Sequence, residues 1–201
     1  MAARTIVWEG TDAWRAEVAV VDLGVDRVRA TGTQIGVEPV PYRLEYELET
    51  SAGWETHRLT ARSSGAGWSR ELDLRHDGAG RWRCTTKESG SAPGLPEPGG
   101  DLDDVRGAID CDLACSPLTN LMPVCRHALH LHEGEHDMLM AWVDVPSLAV
   151  TASAQRYTHL GRGEEGSTVR YTGEDGFVAD LALDPDGLVR TYPGLAARVA
   201  G

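Results

Sequence analysis

Positive charge is scarce in this sequence, whose 201 residues include 19 basic and 31 acidic side chains and carry a formal net charge of −12. Lys87 is the only lysine. Proteins that bind nucleic acid or anionic lipid surfaces by electrostatics need clustered Lys and Arg side chains, and no run of them occurs here. We therefore expect neither a nucleic-acid partner nor a polybasic membrane contact.

Long hydrophobic runs are also missing. A membrane-spanning helix needs about 18 or more consecutive apolar residues, and the best stretch, residues 138–150, is short and contains Asp144 and Pro146. The first residues have no apolar run of signal-peptide length. The sequence therefore predicts no stable membrane insertion and a cytoplasmic location, where cysteines are reduced thiols. The cysteines are Cys84, Cys111, Cys115 and Cys125.

Familiar catalytic motifs are absent: there is no Gly-x-Ser-x-Gly elbow, no Walker loop and no glycine-rich dinucleotide fingerprint. The letters of the zinc-protease signature occur at residues 132–136, but that chemistry requires two histidines on one face of a helix. Here the segment has Gly134 at its centre and lies between apolar arms at residues 129–131 and 138–143. We therefore predict a hairpin turn and no zinc site.

The cysteines suggest two further chemistries, and neither is well supported. Cys111, Cys115, Cys125 and His127 are ligand types that zinc uses, but their spacing lacks the close cysteine pairs of structural zinc sites. Cys125 and His127 could form a nucleophile pair, but no third, orienting group is evident. We expect free, partly buried thiols, no metal and no cofactor.

Alternation of apolar and polar residues, which is typical of half-buried strands, dominates the pattern. It is clearest in residues 42–49, where every second residue is Tyr or Leu and the others are charged. The face predicted to be buried consists of Tyr42, Leu44, Tyr46 and Leu48. Residues 14–20 alternate in the same way, and the apolar face predicted there consists of Trp14, Ala16, Val18 and Val20.

Turn signals organise these strands into one mostly antiparallel β domain, residues 1–201. Residues 76–80 predict a hairpin turn, and Asp-Gly turns predict a three-stranded meander over residues 168–192. One helix is predicted, with Ser116 as N-cap and Pro117 at its first position; Ala196–Ala200 could add a terminal turn. The Gly- and Pro-rich residues 89–106 predict a mobile surface loop.

The richest chemistry lies in residues 110–126, where carboxylates, hydroxyls, an amide and a guanidinium stand among apolar residues. Buried polar groups must find partners. These groups could hold the loop backbone, with the guanidinium paired to Asp110 or Asp112, or they could line a pocket for a hydroxylated ligand. Gln155 and Tyr157, two apart on one strand face, leave the same alternatives open. The candidate ligand-binding residues are Asp112, Thr119, Asn120, Arg126, Gln155 and Tyr157.

Several short patterns follow one another in the chain: Asp112-Leu113, Ser116-Pro117-Leu118-Thr119-Asn120, Ala141-Trp142-Val143, Gln155-Arg156-Tyr157 and Tyr192-Pro193-Gly194. In these patterns, and from about residue 8 to residue 195, the sequence resembles the putative glycolipid-binding proteins, a bacterial family catalogued as a domain of unknown function. The resemblance implies a long antiparallel sheet that spirals around a single helix, a β-roll, and a homodimer. It carries over no catalytic residue.

Three functional hypotheses remain open. The leading one is a non-enzymatic carrier or sensor for an amphipathic ligand, such as a glycolipid or a lipid-like molecule, held in a cleft between sheet and helix. The second is a small-metabolite enzyme in which Asp110 or Asp112 acts as general base beside Arg126. The third is a structural or regulatory dimer without a ligand. Candidate cleft walls are Trp8, Trp14, Trp54, Trp68, Trp82 and Trp142.

Overall fold

The structure, a computed structural model, describes residues 3–92 and 94–201 and consists mainly of 14 β-strands in one sheet. The strands are β1 (Arg4–Gly10), β2 (Arg15–Leu23), β3 (Val28–Gly36), β4 (Tyr42–Thr50), β5 (Thr56–Gly65), β6 (Trp68–His76), β7 (Trp82–Gly90), β8 (Asp110–Leu113), β9 (Glu135–Val143), β10 (Val150–Gly163), β11 (Gly166–Gly173), β12 (Val178–Leu183), β13 (Val189–Tyr192) and β14 (Ala196–Ala200).

The order of the strands follows the chain in two runs. Strands β1 to β7 lie in sequence on one side, β8 to β14 lie on the other, and the runs join where β1 pairs with β14. Neighbouring strands are antiparallel except β8 and β9, which are parallel and are connected through the helical segment. The predicted mostly β, single-domain β-roll is confirmed; the parallel pair was not part of that prediction.

The enclosed helical segment begins as a 3₁₀ helix, Pro117–Asn120, and continues as α1, Leu121–Arg126. The predicted start at Ser116 is confirmed, but its hydroxyl makes no capping hydrogen bond and instead donates to Glu17 Oε1 at 2.7 Å. Pro123 lies in the first turn of α1, where its missing N–H leaves no hydrogen bond unmade. Nearly the whole segment is buried.

The helical segment packs against both runs of the sheet. Leu118, Leu121 and Met122 belong to a large core cluster to which strands β1 to β6 contribute about half of the residues. Val124 belongs to a smaller cluster formed largely by β9 to β13. One short helix therefore supplies apolar contacts to both halves, which explains why the sheet curls around it.

The clearest alternation produces the expected elements. Tyr42, Leu44 and Leu48 of β4 are buried, as is Tyr46 between them. The predicted hairpin forms between β6 and β7, and the predicted meander forms as β11, β12 and β13.

Strand β2 buries the face opposite to the one predicted. Ala19 and Val21 are fully buried, whereas Val18 and Val20 are 41% and 44% exposed. The buried face also carries Glu17, whose carboxylate receives hydrogen bonds inside the roll. Its internal partners make burial of this charged residue possible, and the prediction from residues 14–20 was wrong for that reason.

Two further local predictions are wrong. Ala196–Ala200 is not a helical turn but strand β14, because β1 would otherwise be left with an unpaired edge. Residues 129–131 form turns rather than a strand, so residues 132–136 are not the tip of a hairpin; they lead into β9, whose partners are β8 and β10.

Residues 89–106 are only partly loop in character. The segment begins within β7, and Gly99 exchanges backbone hydrogen bonds of 2.8 Å with Leu148 and Val150. Val105 is fully buried. The mobility of this segment stays a prediction, and Pro93 within it lies outside the described residues, as do residues 1 and 2 of the domain.

Candidate functional site

Five predicted ligand-binding residues form one hydrogen-bond network. Asp112 on β8 accepts hydrogen bonds from the Thr119 hydroxyl and the Gln155 amide, both at 2.7 Å. The Tyr157 hydroxyl donates to Asn120 Oδ1 at 2.8 Å and lies 3.2 Å from Gln155 Oε1. The structure therefore brings together residues from β8, the 3₁₀ helix and β10. Asp112 and Gln155, which are hydrogen-bonded here, are 43 positions apart in the sequence.

The network is built in a way that the local sequence explains. Gln155 and Tyr157 are two residues apart on β10, so both side chains point into the roll. The 3₁₀ helix turns Thr119 and Asn120 in the direction of these strands, and Asn120 Nδ2 also donates to the Pro117 carbonyl at 3.2 Å. Each side chain has its orientation fixed by a neighbour, which makes the arrangement rigid.

Burial governs the electrostatics of the network. It raises the pKa of Asp112, against the hydrogen bonds from Thr119 and Gln155, which favour the charged form. Burial also raises the pKa of Tyr157 well above its usual range, so its hydroxyl stays protonated as a donor. The network is a fixed set of neutral donors around one carboxyl group.

A cleft of about 480 Å³ opens beside this network. Asp112 and Asn120 reach its surface, while Thr119, Gln155 and Tyr157 stand behind them. Its polar lining also includes Ser116, Glu174 and Asp175, and its aromatic lining consists of Trp142, Tyr171, Phe177 and Tyr192. A concave surface with apolar walls and a few fixed polar groups is typical of small-molecule sites.

Three aromatic rings of the cleft form a group that sequence reasoning missed. The Tyr171 and Phe177 centroids are 6.1 Å apart, and Tyr192 lies 5.9 Å from Tyr171 and 6.3 Å from Phe177. The residues come from β11, from the turn after it and from β13. In the sequence, the one sign that these residues could meet was their position beside the turns of the meander. The alternation of apolar and polar residues did not indicate a shared cleft.

Of the six predicted wall candidates, Trp142 lines the cleft. Trp8 and Trp82 are buried in the core, and Trp14 is 60% exposed. Trp54 and Trp68 are half-buried and pack against the larger core cluster. Five tryptophans therefore lie outside the cleft lining.

Arg126 lies apart from the network. It forms an ion pair with the buried Asp110, and its Nη2 also donates to the Trp54 carbonyl at 3.1 Å. Burial raises the pKa of Asp110 to about 6, with Arg126 acting in the opposite direction. The pair confirms one of the two pairings expected for Arg126, and neither residue lines the cleft.

Behind the cleft, Glu17 forms a second buried polar centre. Its carboxylate accepts hydrogen bonds from the Tyr46 hydroxyl, from Ser116 Oγ at 2.7 Å and from Gln34 Nε2 at 3.3 Å. Burial raises its pKa to about 7, although these donors favour the charged form. Ser116 connects this centre to the cleft. Sequence reasoning missed Glu17 because it assigned the residue to the exposed face of β2.

The histidines and cysteines of the described residues do not form one common cluster. The His127 and His136 rings stack with centroids 3.9 Å apart, and His132 is exposed. All four cysteines are free thiols. Within residues 3–92 and 94–201, no group of three His, Cys, Asp or Glu side chains is close enough to hold a metal ion.

A larger open groove, about 750 Å³, lies on the outer face of β2 to β7. Its charged side chains largely face one another: Arg58 pairs with Asp73 at 2.8 Å, and Lys87 lies 3.8 Å from Glu71. Surface pairs of this kind leave little unmatched charge for a ligand. The smaller cleft, with its converging polar and aromatic groups, is the better candidate site.

Comparisons with known proteins agree with this architecture. The family described as putative glycolipid-binding matches the sequence over residues 5–198. The chain belongs to this family. The resemblance expected from the sequence is thereby confirmed.

Two solved structures are similar to this family member. A DUF1089 family protein from Pseudomonas aeruginosa has 26% sequence identity and a TM-score of 0.69, covering 91% of this chain and 92% of that chain. A β-barrel-like protein of domain of unknown function DUF1849 from Brucella abortus has 8% identity and a TM-score of 0.49, covering 98% and 93%. No curated protein matches the sequence.

In the part of the chain that the structure describes, no helix is long and apolar enough to cross a membrane.

Proposed function

We propose that this protein binds an amphipathic small molecule, of glycolipid or lipid-like type, in the cleft beside Asp112, and that it acts as a carrier or sensor rather than as an enzyme. The observation that carries the proposal is the cleft itself, in which aromatic walls meet polar groups already held in place by the network. Preorganised polar groups on an apolar surface recognise ligands that have both characters. The family description supports the same ligand class.

The two kinds of surface suit different parts of such a ligand. Asp112 and Asn120 would contact the headgroup, while Thr119, Gln155 and Tyr157 hold them in position. A shallow groove of about 640 Å³ adjoins the cleft at residues 173–174. It is lined in part by the apolar side chains of Met138, Leu139 and Ala154, which would accompany an apolar tail.

That Arg126 contacts the ligand stays a prediction. The contacts that this arginine makes within the protein favour a role in holding the fold instead. Its guanidinium is directed at Asp110 and at backbone carbonyls. The enzyme hypothesis needs Arg126 and a carboxylate in one pocket, and the cleft contains Asp112 without that arginine. These contacts favour binding over general-base catalysis.

We also propose a cytoplasmic homodimer that binds no nucleic acid. The net charge of −12 supports the last point, since phosphate backbones would be repelled. Exposed apolar residues on the outer face of β2, Val18 and Val20, offer surface for a dimer contact. Sedimentation analysis distinguishes a monomer from a dimer, and fractionation of the native host tests the location.

Native mass spectrometry of protein purified gently from its own host tests the binding proposal. We expect a bound lipid or glycolipid near one per chain, which organic extraction would identify. A Gly173→Leu variant should lose it, because a Cβ at Gly173 would lie 2.8 Å from Asp175 Oδ1 and 3.3 Å from the Tyr171 hydroxyl. Gly161→Leu is the matched control, since no atom of the described residues lies within 4 Å of its Cβ position.

Two results would contradict the proposal. One is a ligand-free wild-type protein that also fails to take up lipid extract from the host, which would favour the dimer without a ligand. The other is equal ligand occupancy in the Gly173→Leu and Gly161→Leu variants, which would move the binding site away from the cleft.

A further inference from the structure

We infer that the cleft recognises a positively charged nitrogen, so that the headgroup of its ligand carries an ammonium group. The inference rests on the proposed function and specifies the ligand class of the same site. Its basis is the combination of an aromatic cage with carboxylates that have no cationic partner among the described residues. The cage is the group of three rings formed by Tyr171, Phe177 and Tyr192.

The rings of the cage pack against one another at the distances and tilts that are usual for aromatic side chains. Its ring centroids are 5.9 to 6.3 Å apart, and the ring planes are tilted at 32° to 57° rather than stacked face to face. All three rings line the cleft. A cation is attracted to the negative face of an aromatic ring within about 6 Å of its centroid, and several rings around one ammonium group form the common recognition site for choline-like ligands.

The charges around the cage have one sign. Asp112, Glu174 and Asp175 line the cleft, and its lining among the described residues includes no Lys, Arg or His. Asp112 accepts from neutral side chains, and Asp175 accepts from the Phe177 backbone N–H at 2.9 Å. Arg15 influences Cys115 at one end of the cleft, but it is paired with Asp12 at 2.6 Å.

The carboxylates act on the cage rings themselves. Burial raises the pKa of Tyr171 and Tyr192 above their usual range, and the negative charges of Asp112 and Asp175 add to this effect on both residues. The negative electrostatic field of the cleft lining therefore acts on these rings. Since the described chain has no group of three acidic, His or Cys side chains that could hold a metal ion, an organic cation fits this field better than a metal.

The test uses soluble headgroup probes that differ in charge. Choline is compared with its neutral isostere 3,3-dimethyl-1-butanol, and glucosamine is compared with glucose, by NMR titration in 150 mM NaCl. We expect each cation to bind about 3- to 30-fold more tightly than its neutral counterpart, which is the range of a cation–π contact. Equal affinity within the pairs, or no binding of either cation, would overturn the inference.

Variants separate the cleft from the overall acidity of the protein. Asp175→Asn keeps the oxygen that accepts the Phe177 N–H but removes the charge, and Phe177→Leu removes a ring that is 40% exposed. Both should weaken choline binding about 3- to 10-fold. Asp22→Asn changes the net charge equally at an exposed position outside the cleft and should have no effect.

The failure of this inference is distinguishable from the failure of the proposed function. If choline binding falls as much in Asp22→Asn as in Asp175→Asn, the attraction belongs to the whole surface and the cage is not its cause. If the host ligand found by mass spectrometry occupies the cleft but carries no ammonium group, the inference is wrong and the proposed function stands. A protein that is ligand-free in that experiment and also fails to take up lipid extract contradicts the proposed function itself.

Discussion

Glu17 shows how a single buried carboxyl group can give the core a pH response. It is 2% exposed, and burial raises its pKa from the usual 4.5 to about 7. In the unfolded chain the same group ionises near pH 4.5. Between these values the native state binds more protons than the unfolded state, so the contribution of Glu17 to the free energy of unfolding falls as the pH rises from 4.5 to 7.

Glu17→Gln should remove this response. Tyr46 and Ser116 can still donate to the remaining oxygen, and the Gln34 amide can turn so that its unpartnered buried Oε1 accepts from the new amide. We expect the variant to gain about 2.5 kcal/mol on the wild type as the pH rises from 5 to 8. Urea unfolding at both pH values measures it; a wild-type advantage that stays constant or grows with pH contradicts the account.

At the scale of elements, the helical segment is anchored by one ion pair as well as by its apolar contacts. Arg126 at the end of α1 pairs with Asp110 on β8, and it also donates to the carbonyls of Gly53 and Trp54 before β5. Its side chain is 12% exposed and that of Asp110 is 1% exposed. Loss of one partner from a buried pair leaves the other charge without compensation.

Arg126→Ala should therefore destabilise the fold by about 3–5 kcal/mol at neutral pH. The loss should be smaller at pH 5, because the unpaired Asp110, whose pKa burial already raises, can then be protonated. Adding Asp110→Asn should recover part of the stability. Thermal and urea unfolding measure these changes, and an Arg126→Ala variant that keeps its stability but loses the bound ligand would show that Arg126 contacts the ligand directly.

The strands that could be predicted are those in which the alternation of apolar and polar residues allows only one assignment of the buried face. Strand β4 and the β6–β7 hairpin alternate clearly and form as expected. The buried face of β2 could not be predicted, because it depends on hydrogen-bond donors to Glu17 that come from distant parts of the chain. Strand β14 is short and rich in alanine, and its pairing with β1 and β13 makes it a strand.

At the scale of the whole molecule, the curl of the sheet brings residues from separate strands together in one site. The network residues could be proposed from their polar chemistry among apolar neighbours, and five of the six meet around Asp112. The cage could not be proposed, because its rings come from β11, the following turn and β13. Their proximity depends on how the sheet curls, and local sequence does not contain that information.

The cysteines of the chain allow the occupancy of this cleft by an amphipathic ligand to be measured directly. Cys115 lines the cleft and is half-buried, whereas Cys84 is half-buried outside its lining. Alkylation of each thiol by iodoacetamide can be followed by peptide mass spectrometry in protein purified from its host and in the same protein after lipid extraction. Alkylation of Cys115 should be slower when the ligand is bound, and alkylation of Cys84 should be unchanged. Equal alkylation of Cys115 in ligand-bound and extracted protein would contradict occupancy of the cleft.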